Sequence, residues 1–211
     1  MKIAVINETS AALRNAEILA ALDGRGHEII NAGMKKSGEP PELTYINTGF
    51  LSALLLNAGR VDYVVGGCGT GQGYLNAVMQ YPNVFCGHIL TPLDAWLFTQ
   101  INGGNCVSLM LQQSYGWASD VNLRFIFDQL FGVESGIGYP PHRQTSQRES
   151  RQILHGLSRT AHRPMAEIVR EIDEQIIAPV LSFPGVWDLL TPHTLKDQAL
   201  AEALISRRKP A

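Results

Sequence analysis

From Val61 to Gln80 the chain reads Val-Asp-Tyr-Val-Val-Gly-Gly-Cys-Gly-Thr-Gly-Gln-Gly-Tyr-Leu-Asn-Ala-Val-Met-Gln. The short apolar, β-branched run Val61 to Val65 predicts a strand buried on both faces of a sheet. Five of the eight residues from Gly66 to Gly73 are glycine, and a helix-forming segment follows. A strand, a glycine-rich turn and a helix start gather backbone N–H groups around one point, with the positive end of the helix dipole behind them. Such a place attracts an anion. At its centre stands Cys68, and the same field favours a thiolate over a thiol.

Spacing excludes three familiar uses of a glycine loop. A dinucleotide fingerprint needs G-x-G-x-x-G, whereas Gly67, Gly69, Gly71 and Gly73 alternate strictly. A P-loop needs Lys followed by Ser or Thr after its last glycine, and Tyr74-Leu75 stands there. A cysteine phosphatase loop wants an arginine about six residues past the cysteine to hold phosphate bidentately, and that place is also Tyr74. What remains is a thiolate beside oriented N–H donors. That pair suits removal of a proton from carbon, with the donors holding the resulting oxyanion.

The elements around this loop alternate. Strands are expected at Lys2 to Ile6, His27 to Gly33, Val61 to Val65, Asn83 to Ile89 and Asn105 to Leu111. Helices are expected at Ser10 to Arg25 (capped by Thr9 or Ser10), Thr48 to Ala58, from Gly73 on, Pro92 to Ile101 and Trp117 to Phe131. This order argues a doubly wound parallel sheet with right-handed crossovers. Further helices are expected at Ser146 to Leu157, Pro164 to Ile177 and Leu195 to Arg207, separated by Pro179, Pro184-Gly185 and Pro192. Residues 1–154 read as the α/β domain. Residues 155–211 read as a helical extension, too small for a core of its own, whose apolar faces pack on the body or on a partner subunit.

The chain has 211 residues, 45% hydrophobic and 17% charged, enough apolar content for a single core. A net charge of −2 gives no electrostatic case for nucleic acid or an anionic membrane. Lys2 to Ile6 is too short for a signal peptide, and no run approaches the ~20 apolar residues of a membrane span. Cys68, Cys86 and Cys106 are odd in number and lack C-x-x-C spacing, which argues against a disulfide framework or a zinc site. A cytoplasmic protein is expected.

Gly-Cys-Gly-Thr-Gly-Gln-Gly at 67–73, with the spacing of elements from Met1 to roughly Leu154, resembles the sugar-phosphate isomerases grouped as ribose-5-phosphate isomerase B and galactose-6-phosphate isomerase. The resemblance implies a Rossmann-like three-layer αβα sandwich with a five-stranded parallel sheet. It also implies a homodimer with composite active sites, a small phosphorylated sugar as substrate, and aldose–ketose isomerisation with no metal or other cofactor. The nearest family activity is ribose 5-phosphate to ribulose 5-phosphate through a cis-enediolate.

Carried over residue by residue, Cys68 is the base and Thr70 bonds a substrate hydroxyl. The amides of Gly69, Gly71, Gln72 and Gly73 stabilise the enediolate. Gln100-Ile101-Asn102 matches the family's glutamine and asparagine, so Asn102 is expected to help hold the oxyanion. Ile101 stands where the family has the histidine implicated in ring opening, and an isoleucine cannot transfer a proton. Either another group opens the ring or the substrate cannot cyclise. Glu8-Thr9 replaces the family's Asp-His after the first strand, so Glu8 keeps a carboxylate and Thr9 removes a potential cation. His88, at the end of the fourth strand, is a candidate replacement histidine, and Tyr45 matches a tyrosine before the second helix. Arg148 and Arg151, three apart and so on one helical face, are the candidates for holding phosphate. Ile101 and Thr9 also leave open a second expectation, an anion-binding protein of the same fold that has lost turnover.

Overall fold

In the computed structural model, which describes residues 1–208, the chain forms a five-stranded sheet between two layers of helices. The strands are β1 (Lys2–Asn7), β2 (Glu28–Asn31), β3 (Tyr63–Cys68), β4 (Cys86–Ile89) and β5 (Cys106–Met110). All pair in parallel, in the order β2-β1-β3-β5-β4. β3 is therefore central, which is why Val64 and Val65 are fully buried and why its run is apolar on both faces.

Between the strands run α1 (Asn15–Leu22), α2 (Tyr45–Asn57), α3 (Gln72–Val78), α4 (Pro92–Leu97) and α5 (Ser119–Phe131). One core lies under α1 and α5, with Ile3, Val5, Val65, Val107 and Phe127. The other lies under α2 and α3, with Val64, Phe50, Leu54, Tyr74 and Cys106. Period-two alternation on each strand feeds both layers.

Several boundaries differ from the sequence expectation for identifiable reasons. Neither Thr9 nor Ser10 caps the first helix. Glu8 instead caps a 3₁₀ turn, Thr9–Arg14, accepting the Ser10 N–H at 3.0 Å, and α1 follows that turn with no side-chain cap. α2 begins three residues early because Thr44 and Asn47 form a reciprocal capping box ahead of it. The helix after Pro92 loosens into a π-helical turn, Phe98–Asn102, closed by left-handed Gly103. Further on, α6 (Gln144–Ala161) runs unbroken through Leu154 and His155, where the domain boundary was expected.

The stretch Pro164 to Ile177 is two helices, α7 (Met165–Glu171) and α8 (Glu174–Ser182), because Asp173 caps a new start on the Gln175 N–H. α9 (Val186–Leu190), not expected from the sequence, and α10 (Gln198–Arg207) complete the arm. Its apolar residues, among them Val169, Ile177, Val180 and Leu204, join the cluster under α2 and α3. Asn47 donates to the Gln175 and Ile176 carbonyls at 3.2 and 3.1 Å, and Arg60 to the Leu190 carbonyl at 2.8 Å, tying the arm to α2 and its end. Among the described residues, no helix is long and apolar enough to cross a membrane.

Candidate active site

The carboxyl ends of β1, β3, β4 and β5 meet at one edge of the sheet, the usual place for a ligand in an open parallel sheet. There β3 ends at Cys68, beside Met110 of β5, while Asn7 of β1 stands beside Gly67. Cys68 is 6% exposed, and its carbonyl accepts the N–H groups of Gly71 (3.3 Å) and Leu111 (3.1 Å). These bonds curl the chain back on itself and place the start of α3 over the strand end. Gly71 takes the left-handed conformation, φ +75°, that this turn requires. The Gln72 N–H meets Thr70 Oγ1 at 3.3 Å, so the Thr70 hydroxyl supports the helix start and still has its proton to give.

Other expected residues stand around the same edge. The Tyr45 ring lies over Gly73, about 3.3 Å from where a β-carbon would sit. Both Glu8 carboxylate oxygens accept from Ser10, one from its amide and one from its hydroxyl. Thr9 donates its N–H to the Leu43 carbonyl at 2.9 Å and its hydroxyl to Glu42 at 3.2 Å. His88 is beneath the loop, with Nε2 3.1 Å from the Thr70 carbonyl.

Three expected residues are not brought there. Asn102 precedes β5 at its amino end, whereas Cys68 is level with Met110 at its carboxyl end. Four strand residues at ~3.3 Å each put them on the order of 13 Å apart along the sheet, at opposite edges. Asn102 lines a cavity of about 300 Å³ there with Cys86, Phe98, Leu154 and Leu157. Arg151 does not stand free on the surface of α6. Its guanidinium donates to the carbonyls of Ile101 (2.8 Å) and Gly136 (2.5 Å), so it stitches α6 to the π-helical turn. Arg148 lies one turn away on α6, exposed. A helix-to-strand connection must enter a parallel sheet at its amino edge, which separates Asn102 from residues that follow strands.

Two residues of this edge, Gln112 and Ser108, were not singled out by the sequence. Gln112 Nε2 donates to the Ser10 carbonyl at 2.6 Å, and its own N–H reaches the Gly69 carbonyl at 3.0 Å, clamping the cysteine loop to the turn after β1 through Ser10. Ser108 Oγ donates to the Gly71 carbonyl at 2.5 Å from a fully buried position. A lone hydroxyl within Cys-Val-Ser-Leu-Met was the available signal. Asn7 is 0% exposed, and neither of its amide atoms has a hydrogen-bond partner in the protein. Away from this edge, burial first and then the neighbouring Cys106 push the Cys86 thiol well above its usual range, so Cys86 stays protonated at neutral pH.

Residues 3–125 match the family model described as ribose/galactose isomerase. The chain belongs to that family. Its isomerase relatives of known structure include two that align over nearly the whole of both chains. A 4-deoxy-L-threo-5-hexosulose-uronate ketol-isomerase, solved with a tartrate, is 37% identical over 98% of this chain and 99% of its own, with a TM-score of 0.91. A ribose-5-phosphate isomerase from Vibrio parahaemolyticus is 36% identical over 99% of both chains, with a TM-score of 0.92. A ribose 5-phosphate isomerase from Thermotoga maritima, 22% identical with a TM-score of 0.57, shares the fold over 70% of this chain. No curated protein matches. The family member described here therefore shares its C-terminal helices with both long relatives, and those helices lie outside the stretch that the family model matches.

Proposed function

We propose that this isomerase interconverts an aldose and a ketose by proton transfer through Cys68, acting on a small open-chain sugar that carries one acid group. The observation that carries the reading is the nearly dry Cys68 at the tip of the central strand, wrapped by the glycine turn. The Cys68 thiolate takes the proton from C2. The electron pair left behind forms the C1–C2 double bond, and O1 takes the negative charge. Around that oxygen stand the amides of Gly69, Gly71, Gln72 and Gly73. Two of them are held only by 3.3 Å bonds, which a charged oxygen outcompetes. The O2 proton moves to O1 with the Thr70 hydroxyl bonded to the substrate hydroxyl, and the Cys68 thiol returns its proton to C1.

Two features favour a uronate over a sugar phosphate. Ile101 supplies no acid for ring opening. The hexosulose uronate named for the 37% identical relative has no oxygen on C4 and a carbonyl at C5, so it lacks the hydroxyls that would close a five- or six-membered ring onto the C1 aldehyde. A carboxylate also needs less positive charge than a phosphate monoester, which carries about −1.5 to −2. That fits Thr9 in place of a histidine and Arg151 engaged with carbonyls. The ribose 5-phosphate reading is supported by the 36% identical Vibrio relative. Steady-state assays on the uronate, ribose 5-phosphate and a tetrose phosphate separate the two. The uronate is expected to lead in kcat/KM by roughly 100-fold. A preference for ribose 5-phosphate would hand the assignment to the second reading, and ligand binding without turnover of any of them would leave only an anion-binding protein.

The site is proposed to be composite, with Asn102 of the partner subunit completing the oxyanion pocket of Cys68. The separation of the two residues within one chain motivates this, together with the exposed stripe Ile153, Leu154 and Leu157 on α6. Placing Asp at both 154 and 157 would bury carboxylates in such an interface at several kcal/mol each. The double variant is expected to sediment as a monomer and to lose roughly 100-fold in kcat/KM, the usual cost of one missing oxyanion donor. An active monomer would show that one chain suffices.

A further inference from the structure

The glycine loop has almost no side chains with which to hold its own shape. Glycine-rich segments have the largest conformational freedom to lose, so something outside the loop must fix the direction of its peptide planes. Two side chains on neighbouring strands do so. His88 of β4 and Ser108 of β5 are directly paired in the sheet register. His88 Nε2 meets the Thr70 carbonyl at 3.1 Å, and Ser108 Oγ meets the Gly71 carbonyl at 2.5 Å. A carbonyl only accepts, so His88 carries its proton on Nε2 and donates it there. The two successive carbonyls of the turn are thus drawn toward the sheet.

In a planar trans peptide, a carbonyl pulled one way turns the next residue's N–H the other way. Pinning the Thr70 and Gly71 carbonyls therefore fixes the directions of the next N–H groups, that of Gly71, which meets the Cys68 carbonyl at 3.3 Å, and that of Gln72, which meets Thr70 Oγ1 at 3.3 Å. The fit is close as well. A β-carbon on Gly71 would lie 2.6 Å from His88 Nε2, so ring and glycine occupy complementary space.

We infer that His88 and Ser108 are positioning residues that preorganise the oxyanion donors of the cysteine loop, and that His88 is not a proton donor to the substrate. This rests on the isomerase reading above for its kinetic consequence but not for its structural one. A loop free to tilt its amides by about 1 Å loses on the order of 100-fold in rate.

The test uses the intact protein as wild type and as His88→Ala, His88→Gln and Ser108→Ala. For each, kcat and KM on the uronate are measured alongside amide hydrogen exchange of the peptides covering residues 66–78. His88→Ala is expected to lower kcat by roughly 30–100-fold with KM changed less than threefold, and to speed exchange across the loop at least tenfold. Ser108→Ala is expected to behave alike to a smaller degree, and it decides the question alone if His88→Ala does not fold. Glutamine offers an N–H at the reach of Nε2 but cannot act as an acid, so His88→Gln should restore both readouts. A His88→Gln variant as slow as His88→Ala, with native loop exchange, would make His88 an acid and overturn the inference. Unchanged loop exchange in both alanine variants would overturn it too. If the wild type turns over none of the sugars, the exchange measurement still decides the positioning claim while the functional reading alone fails.

Discussion

Replacing Cys68 with alanine is expected to lower kcat by on the order of 10³-fold or more, with the fold intact. General acid–base groups contribute typically 10²–10⁴-fold, and here one sulfur both removes and returns the proton, so both half-reactions suffer. Serine should be nearly as poor, because an alcohol neither ionises near neutral pH nor tolerates carbon acidity as a thiolate does. The stability cost is small by comparison. Cys68 is a small side chain whose carbonyl, not its sulfur, makes the bonds that close the turn. A thermal melt within a few degrees of wild type, together with lost turnover, is the expected pair of results. An alanine variant retaining a tenth of the activity would remove Cys68 from the chemistry.

Gly66→Ala should have the largest effect on stability. Gly66 lies in central β3 with Tyr74 across it, and a β-carbon there would stand 2.2 Å from Tyr74 Cζ and 2.4 Å from its hydroxyl oxygen. The ring cannot step aside, because Tyr74 is fully buried and its hydroxyl donates to Ser52 Oγ at 2.6 Å. Ser52 in turn donates to the Thr48 carbonyl at 2.7 Å. Burial holds the Tyr74 phenol well above its usual range, so it remains a donor at any working pH. Moving the ring breaks that bond and overpacks α2. Overpacking costs about 1–3 kcal/mol and an orphaned buried hydroxyl about 1–3 more. A combined loss near 3 kcal/mol lowers Tm by roughly 6–12 °C for a chain of this size. Tyr74→Leu in the Gly66→Ala background should recover part of the loss through non-additivity. A melting temperature unchanged by Gly66→Ala would mean that the strand and ring are not packed as described.

Much of the fold was legible because period and punctuation agree. Lys2 to Ile6 and Val61 to Val65 read as buried strands. The second is found two to three residues later, at Tyr63–Cys68, because Gly66, Gly67 and Cys68 still pair with the neighbouring strands. Pro92 after Thr91 marked a helix start that the structure caps with Thr91 and Asp94. What escaped was set by tertiary contacts. The division between α7 and α8 depends on an Asp173 cap inside an otherwise continuous apolar pattern. α6 extends past Leu157 because Ser158 is buried and bonds to the Asn83 N–H at 2.9 Å. In the site, the loop and its cysteine declared themselves by composition. The direction of His88 did not, since a strand-end histidine reads the same whether it faces a ligand or a carbonyl. That Asn102 and Cys68 stand at opposite edges was implicit in the order of elements, since in a parallel sheet a residue ahead of a strand lies at the amino edge and one ending a strand at the carboxyl edge.

The most direct measurement is turnover of the uronate in D₂O, followed by proton NMR of the carbon that gains hydrogen. Transfer through the Cys68 sulfur exposes the migrating proton to exchange, so the product should carry solvent deuterium at that carbon, and Cys68→Ala should abolish the label. Product formed with no deuterium at any stage, together with an undiminished rate in Cys68→Ala, would mean the hydrogen moved directly between carbons and that the cysteine is not its carrier.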